Sequence, residues 1–379
     1  MKIAFAYDVP YPWHIGGIEF LNFSEAQALA RRNDVHFFTL RWPEMKENFR
    51  YEGIRYHTFH NVTQKQVYRH GRRSIREAVF FSFGLFKMFS YDFDVVITDQ
   101  FPVLHLPTVK LYCWLKHSKL VLEVAEVWDR AYWNEYLGSG LGWIAHGLTS
   151  LFIRNADMYV VDSSTTGNRL ASIFRIDKKK IVQYAPSVDD KLIGKVNNGY
   201  SGLRDKTVIF SGRLIKEKRL DKWIEVVEKA IRKSPGIRGV IVGAGPEYDS
   251  IKSLIEKKGL SGKIELRPFY KEKRDFYREL RRSGMILHMS EREGLGIIVI
   301  ESVALGTPVL LPDYTPLPKE IKGMCVVEHE KDMPGKIVEM LNSRSKEKYI
   351  SNTKNIDRFL ISNVIPVFSR IFKDIGLKD

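Results

Sequence analysis

Between Glu293 and Glu301 the chain reads Glu-Gly-Leu-Gly-Ile-Ile-Val-Ile-Glu. Two carboxylates bracket seven residues in a Gly-hinged turn that runs into an apolar helix. Glycines let backbone N–H groups approach a ligand closely, and a new helix N-terminus attracts phosphate. One Glu in the turn and a second about two helical turns later can accept hydrogen bonds from two different hydroxyl-bearing rings. That suits a sugar joined through a diphosphate to a nucleoside. A helix cap at Glu293 and a solvated face at Glu301 would give the same spacing, so the motif needs company.

Part of that company lies upstream. A strand expected over 207–210 runs into Ser211-Gly212-Arg213-Leu214-Ile215-Lys216-Glu217-Lys218. Arg213 and Lys218 stand just past a strand end, where two fixed cations can hold a diphosphate and stabilise its growing charge on departure. Ordinary surface charge is the alternative, since Lys216 and Arg219 flank them. Gly243-Ala244-Gly245-Pro246 fails as a dinucleotide fingerprint because Tyr248 stands at the third glycine position. It reads as a tight turn beside a nucleotide. Near the N-terminus a strand ends at Tyr7-Asp8, and Gly16-Gly17 precedes a helix carrying Phe20, Leu21 and Phe23. A glycine pair there either presses main chain onto a phosphate or sugar or simply packs the turn. His14 is a ligand or a loop residue.

The elements that must position these residues alternate regularly. Strands are expected over 2–7, 35–39, 95–98, 120–124 and 158–161, and again over 207–210, 240–242, 264–266, 285–289, 309–311 and 325–327. Near-continuous apolar strands separated by helical patterns imply parallel sheets covered on both faces. The best linker is Asn197-Asn198-Gly199-Tyr200-Ser201-Gly202. The expected fold is therefore α/β, with two Rossmann-like doubly wound domains facing across a cleft. They are residues 1–195 and 203–355, with a helical segment, 356–379, packing back on the first. Ligands in such sheets sit at the carboxyl ends of strands.

At 379 residues, with 44% hydrophobic and 12% aromatic, the chain has material for two large cores. Cys113 and Cys325 fit no metal spacing and read as buried thiols in a reducing compartment. No signal peptide is read at the N-terminus, and the apolar run 78–89 is too short to span a bilayer. The expectation is a cytosolic protein, or one peripheral on the inner face of the cell membrane. The formal charge of +15 asks for a polyanionic partner, either nucleic acid, anionic lipid or a charged small substrate. No zinc finger, basic zipper or RNA-binding aromatic signature promotes nucleic acid.

As an ordered set these motifs are specific. Gly212-Arg213, Lys218, Gly243-Ala244-Gly245-Pro246, Glu293-Gly294-Leu295-Gly296 and Glu301 follow one another as in GT-B-fold glycosyltransferases, and the chain resembles the family 4 group of retaining, nucleotide-sugar-dependent enzymes. Gly16-Gly17 followed by Glu19 matches that family's N-terminal turn. Leu295 stands where an aromatic residue is usual. The resemblance implies that Arg213 and Lys218 bind the donor diphosphate, that Glu293 meets the transferred sugar and Glu301 the ribose. The N–H groups of Leu295 and Gly296, with Gly17 opposite, would face phosphates or sugar. It further implies a metal-independent front-face transfer with no cofactor beyond a UDP- or GDP-hexose co-substrate.

Three departures mark this sequence. Ala125-Glu126 stands where the family often carries His or Arg then Asp, leaving Glu126 and Asp8 as first-domain candidates. Pro186-Ser187-Val188-Asp189 replaces Asn-Gly-Val-Asp, and Pro312-Asp313-Tyr314-Thr315-Pro316 replaces a Gly-rich turn. For the acceptor, the basic cluster Tyr68-Arg69-His70-Gly71-Arg72-Arg73 beside Phe80, Phe81 and Phe83 suggests segment 68–89 on an anionic membrane and a glycan or lipid-linked acceptor. A helix covering the sheet would also be rich in Phe. Rival readings are a nucleotide-sugar epimerase, an inactive glycosyltransferase-like scaffold and a basic nucleic-acid-binding protein.

Overall fold

The computed structural model describes all residues except 15, 63–67, 70–71, 200–203, 344–346, 351–352 and 378–379. The chain forms two compact units, Met1–Pro186 with Ile361–Asp379, and Ser187–Leu360. It passes between them at Pro186/Ser187 and Leu360/Ile361, whereas the sequence reading ended its first domain at 195 and began its last segment at 356. The helix 190–198 explains the earlier divide. Asp189 caps it by accepting from Leu192 N at 2.9 Å, and Asn197 Oδ1 near its end accepts from Arg281 Nε at 3.0 Å within the second unit. Part of the expected linker, 200–202, lies outside the described residues.

The first unit is an eight-stranded sheet. Its strands are β1 (Lys2–Ala6), β2 (Asp34–Arg41), β3 (Asn48–Tyr51), β4 (Ile54–Asn61), β7 (Val95–Asp99), β8 (Lys119–Val124), β9 (Met158–Val161) and β10 (Ile181–Gln183). A separate two-stranded ribbon is formed by β5 (Tyr68–Arg69) and β6 (Arg72–Arg73). The sheet order is β10-β9-β8-β7-β1-β2-β4-β3, and every pairing is parallel except β3 with β4. Its helices are α1 (Gly17–Leu29), α2 (Ile75–Gly84), α3 (Leu106–Lys116), α4 (Arg130–Leu137), α5 (Ser139–Phe152) and α6 (Ser164–Phe174). The last helix of the chain, Val364–Asp374, joins them, putting Val364, Phe368, Ile371 and Phe372 into the same core as Phe5, Phe37 and Val96.

The second unit adds α7 (Asp190–Asn198), β11 (Thr207–Ser211), α8 (Leu220–Lys233), β12 (Arg238–Val242), α9 (Tyr248–Lys257), β13 (Ile264–Arg267), α10 (Lys273–Arg282) and β14 (Met285–Leu287). Then follow α11 (Ile297–Ala304), β15 (Val309–Pro312), α12 (Lys319–Lys322), β16 (Val326–Glu328) and α13 (Met333–Asn342). All six strands are parallel in the order β13-β12-β11-β14-β15-β16, which is the doubly wound order with its reversal between β11 and β14. Every residue of β11 and β15 is buried, with Val208, Ile209 and Phe210 at the centre of the first, as strands covered on both faces require. On α8, Leu220, Trp223, Ile224, Val227 and Ile231 recur at helical spacing on the buried face, and Trp223 Nε1 donates to Leu287 O at 3.0 Å.

The carboxyl ends of β1, β7 and β8 in the first unit enclose an acidic group. Tyr7 OH donates to Glu123 Oε2 at 2.7 Å, and Asn22, with its amide turned to satisfy both partners, donates to Glu123 Oε2 and Ile18 O, each at 3.1 Å. Glu25 from α1 shares a hydrogen bond with Glu123. Burial first, then the charge and hydrogen bond of Glu123, push the Glu25 carboxyl well above the ordinary range. Burial likewise raises Glu123, against hydrogen bonds from Glu25 and Tyr7. Two carboxyls so placed hold a proton between them. A raised folded-state value favours the protonated form, so this contribution is complete below the ordinary carboxylate value and fades as pH rises through the folded one. Glu25→Gln should therefore flatten the loss of stability as pH rises above the ordinary carboxylate value. Urea-unfolding midpoints across that range test this, and parallel wild-type and variant curves would remove the shared proton.

Candidate active site at the strand-order reversal

Where β11 and β14 lie side by side, their exit loops are stitched together. Glu291 N donates to Glu217 O at 2.9 Å, and Arg219 pairs with both Glu291 and Asp221. At the centre, Lys218 Nζ lies 2.5 Å from Glu293 Oε2, with both side chains mostly buried. The same oxygen faces His288 Nε2 at 2.9 Å. Burial alone would raise the Glu293 carboxyl. The hydrogen bond and charge of His288, with those of Lys218, outweigh it and pull the value down to about 2. Glu293 is thus ionised throughout the physiological range, in a crevice position where open α/β sheets bind ligands.

The glycines of this region are set by close main-chain packing. A Cβ at Gly243 would stand 2.1 Å from Gly212 O, and one at Gly245 would stand 2.3 Å from Leu214 O. Leu214 N donates to Ala244 O at 2.9 Å, and Glu247 N to Leu214 O at 3.0 Å. The Gly-x-Gly run therefore braces the loop that carries Arg213 and Lys218. Arg213 itself is exposed on that loop. Gly294 and Leu295 lie in the turn before α11, and Gly296 caps it in the left-handed region at φ 70°. A Cβ there would also press within 2.6 Å of Leu317 Cδ2. Leu317 comes from the segment after Pro312–Pro316, so the replacement for the Gly-rich turn closes over Gly296.

Glu301 is buried on α11, away from the Lys218 pair. Its Oε1 accepts from Tyr277 OH at 2.7 Å and lies 2.9 Å from Lys273 Nζ, both on α10. In the first unit, Gly16 precedes α1 in extended conformation and Gly17 is its first residue. A Cβ at Gly16 would collide with Glu19, whose Oε1 is 3.3 Å from His14 Nδ1. Ala125 offers only its carbonyl, accepting from Thr166 Oγ1 at 3.3 Å. Beside it, Glu126 Oε2 accepts from Trp128 Nε1 at 2.8 Å, and Asp8 is buried with its carbonyl held by Trp42 Nε1 at 3.1 Å.

The structure thus brings together Lys218 with Glu293, and Gly212 with Gly243, and leaves Arg213 at the loop edge and Glu301 on a separate hydrogen-bond system. Sequence reasoning did not single out His288, Lys273, Tyr277 or Asp162. The last of these follows β9, and burial pushes its carboxyl up to about 7, with Glu126 adding to the rise and Thr166 and Ser163 opposing it. Only His288 left a sequence signal, as a polar residue inside an apolar strand run five positions before Glu293. Among the described residues no group of three or more His, Cys, Asp or Glu side chains could hold a metal ion. Both thiols are pushed up to about 12, chiefly by burial.

Comparison with known proteins agrees with this geometry. Residues 200–355 match the family Glycosyl transferases group 1, and residues 15–192 match Glycosyltransferase Family 4. D-inositol 3-phosphate glycosyltransferase of Mycobacterium marinum is 27% identical over 196 residues, 48% of this chain and 41% of that protein. The chain spans less than half the length of the curated relatives it matches. Among solved structures, the E. coli trehalose-6-phosphate structure bound with UDP-2-fluoro glucose superposes over 100% of both chains at TM-score 0.73 and 12% identity. Anabaena HepE, in complex with UDP and glucose, covers 98% of this chain and 99% of its own at TM-score 0.69 and 14% identity. Two Rossmann-like units, the motif order and these matches make the chain a member of the family 4 glycosyltransferases of GT-B fold.

Proposed function

We propose that the protein is a retaining, metal-independent hexosyltransferase that moves a sugar from a UDP- or GDP-hexose to a glycan or lipid-linked acceptor. The Lys218–Glu293 pair at the strand-order reversal is the observation that carries this reading. Without a ligand the two charges neutralise one another. A diphosphate at the exit of β11 competes for the Lys218 ammonium and recruits Arg213 from the loop edge. Glu293, kept ionised by His288, is then free to accept from sugar hydroxyls. The N–H groups of Leu295 and Gly296 at the start of α11 add positive field for a phosphate or sugar oxygen. On Glu301 both bonds from α10 end on Oε1, and Oε2 is the oxygen offered to ribose.

In the reaction, the bond from the anomeric carbon to the diphosphate oxygen breaks while the acceptor oxygen attacks on the same face. The acceptor proton passes to the departing diphosphate oxygen, so no enzyme nucleophile and no cofactor is required. The protein's part is to orient both substrates and to stabilise the leaving charge. The solved complexes of HepE with UDP and glucose, and of the E. coli protein with UDP-2-fluoro glucose, support a nucleotide-sugar donor. The basic residues of segment 68–89 support, in this reading, an enzyme working at the inner membrane face on a lipid-linked acceptor.

Two measurements test it. Lys218→Ala should lower kcat by about 100-fold or more, with Arg213→Ala milder because Arg213 stands exposed at the loop edge, where solvent screens its charge. Glu293→Gln should keep the fold while losing the charge that orders the site. Wild-type turnover in the Lys218 and Glu293 variants would take this pair out of catalysis. Separately, a screen of UDP-, GDP- and ADP-sugars should raise the Tm with one base and not the others, the shift growing with ligand concentration as mass action requires. No shift with any nucleotide sugar would overturn the donor assignment.

A further inference from the structure

The segment 136–153 contains no Asp, Glu, Lys or Arg. Most of it is α5, and of that helix only Gly142 and Thr149 are buried. Leu141, Trp143, Ile144 and Leu151 are 60%, 60%, 49% and 63% exposed. Ala145, Leu148 and Phe152 rest this helix on the core of its own unit, yet the opposite face is equally apolar and stays exposed, as in a helix made to lie between that core and a second apolar surface. It cannot turn this outer face inward as well. Gly138, at φ 88°, joins it to α4, and a Cβ at Gly142 would stand 2.5 Å from Trp133 O, so the two helices are locked backbone to backbone.

The apolar surface continues beyond α5. Both α2 and α5 pack against the turn Val103–His105 from which α3 departs. Leu104 in that turn and Trp114 on α3 are 39% and 73% exposed. Of the eighteen large hydrophobic side chains exposed among the described residues, thirteen fall in 75–90, 104–116 and 139–152. These three segments carry four basic residues, Arg76, Lys87, Lys110 and Lys116, against one acid, Glu77. An apolar face of this size on a single unit marks an interaction site.

We infer that the α4–α5 hairpin, together with the outer faces of α2 and α3, is a surface that docks in the interface of an anionic lipid bilayer. Charge selects the occupant. The excess of basic residues repels a second copy of the same face and matches phosphate headgroups. Length sets the depth. Fourteen residues of α5 reach about 21 Å, short of the roughly 30 Å hydrocarbon core, and no described helix is long and apolar enough to cross. The hairpin therefore lies in the plane of the interface, where tryptophans such as Trp114 and Trp143 are favoured. The segment 68–89 singled out from sequence supplies only one flank. His70 and Gly71 lie outside the described residues, as do the side chains of Arg69, Arg72 and Arg73. The inference is independent of the donor chemistry.

Co-sedimentation with vesicles of phosphatidylcholine, with and without one quarter phosphatidylglycerol, tests it at low and moderate salt. The full-length protein should bind the anionic vesicles about tenfold or more tightly than the neutral ones, and quenching by bromine-labelled acyl chains should reach its tryptophans. The double variant W143E/L151E changes exposed side chains only. It should lose about tenfold or more in vesicle affinity with an unchanged Tm and an unchanged thermal shift on adding the nucleotide sugar. Vesicle binding equal to wild type in this variant overturns the assignment. So does absence of wild-type binding at low salt, and a concentration-dependent dimer abolished by W143E/L151E would then give the face to a second copy. Vesicle binding without any nucleotide-sugar shift would instead count against the transferase reading alone.

Discussion

A carboxylate held in a mostly buried place needs polar partners, and Glu293 has two. His288 leaves the end of β14 and Lys218 sits on the turn after β11, so the acid ties together the two loops that flank the reversal in strand order. The cost of burying Glu293 alone would exceed what a single hydrogen bond returns. Satisfying it fixes the path of both exit loops, and with them the position of Arg213 and the start of α11. Arg219 with Glu291, and the main-chain bond from Glu291 to Glu217, reinforce the same seam further out.

The first unit handles its acids the opposite way. Glu25 and Glu123 meet with a tyrosine and an amide for company and no cation among their bonded partners, so burial drives them toward the protonated state. Asp162 is moved in the same direction by burial, with Glu126 adding to the rise. Two sheets of the same winding thus present contrasting chemistry at their strand ends. One holds a negative charge between an ammonium and an imidazole, and the other drives its acids toward the protonated state.

Much of the scaffold was legible in the sequence because parallel strands buried on both faces are written as short apolar runs. The strands at 158–161 and 309–312 are of this kind. The antiparallel β3 and the strand beside it, β4, escaped notice, since Asn-Phe-Arg-Tyr-Glu-Gly-Ile-Arg-Tyr mixes charge into every second or third position at a sheet edge. The Gly-Arg, Lys and Glu-Gly-x-Gly elements were readable through their order along the chain. Their partners were not. Lys273 and Tyr277 sit in a helix dominated by charge, and nothing in Lys-Arg-Asp-Phe-Tyr-Arg announces that its four-residue spacing will grip Glu301 from another helix. The hairpin helix α5 went unread for a different reason. Its Gly and Ser residues interrupt the greasiness that a search for spanning segments rewards, although the lack of charge from 136 to 153 was in plain view.

The contact between Gly243 or Gly245 and the carbonyls of the 212–214 loop has one more implication. Main chain against main chain leaves no slack, so the two turns behave as one solid casting rather than as adjustable jaws. Drift in either turn is blocked at those two positions. Any change in what the loop meets must then come from side chains that project past this casting, as the exposed Arg213 does, while the mould beneath stays the same.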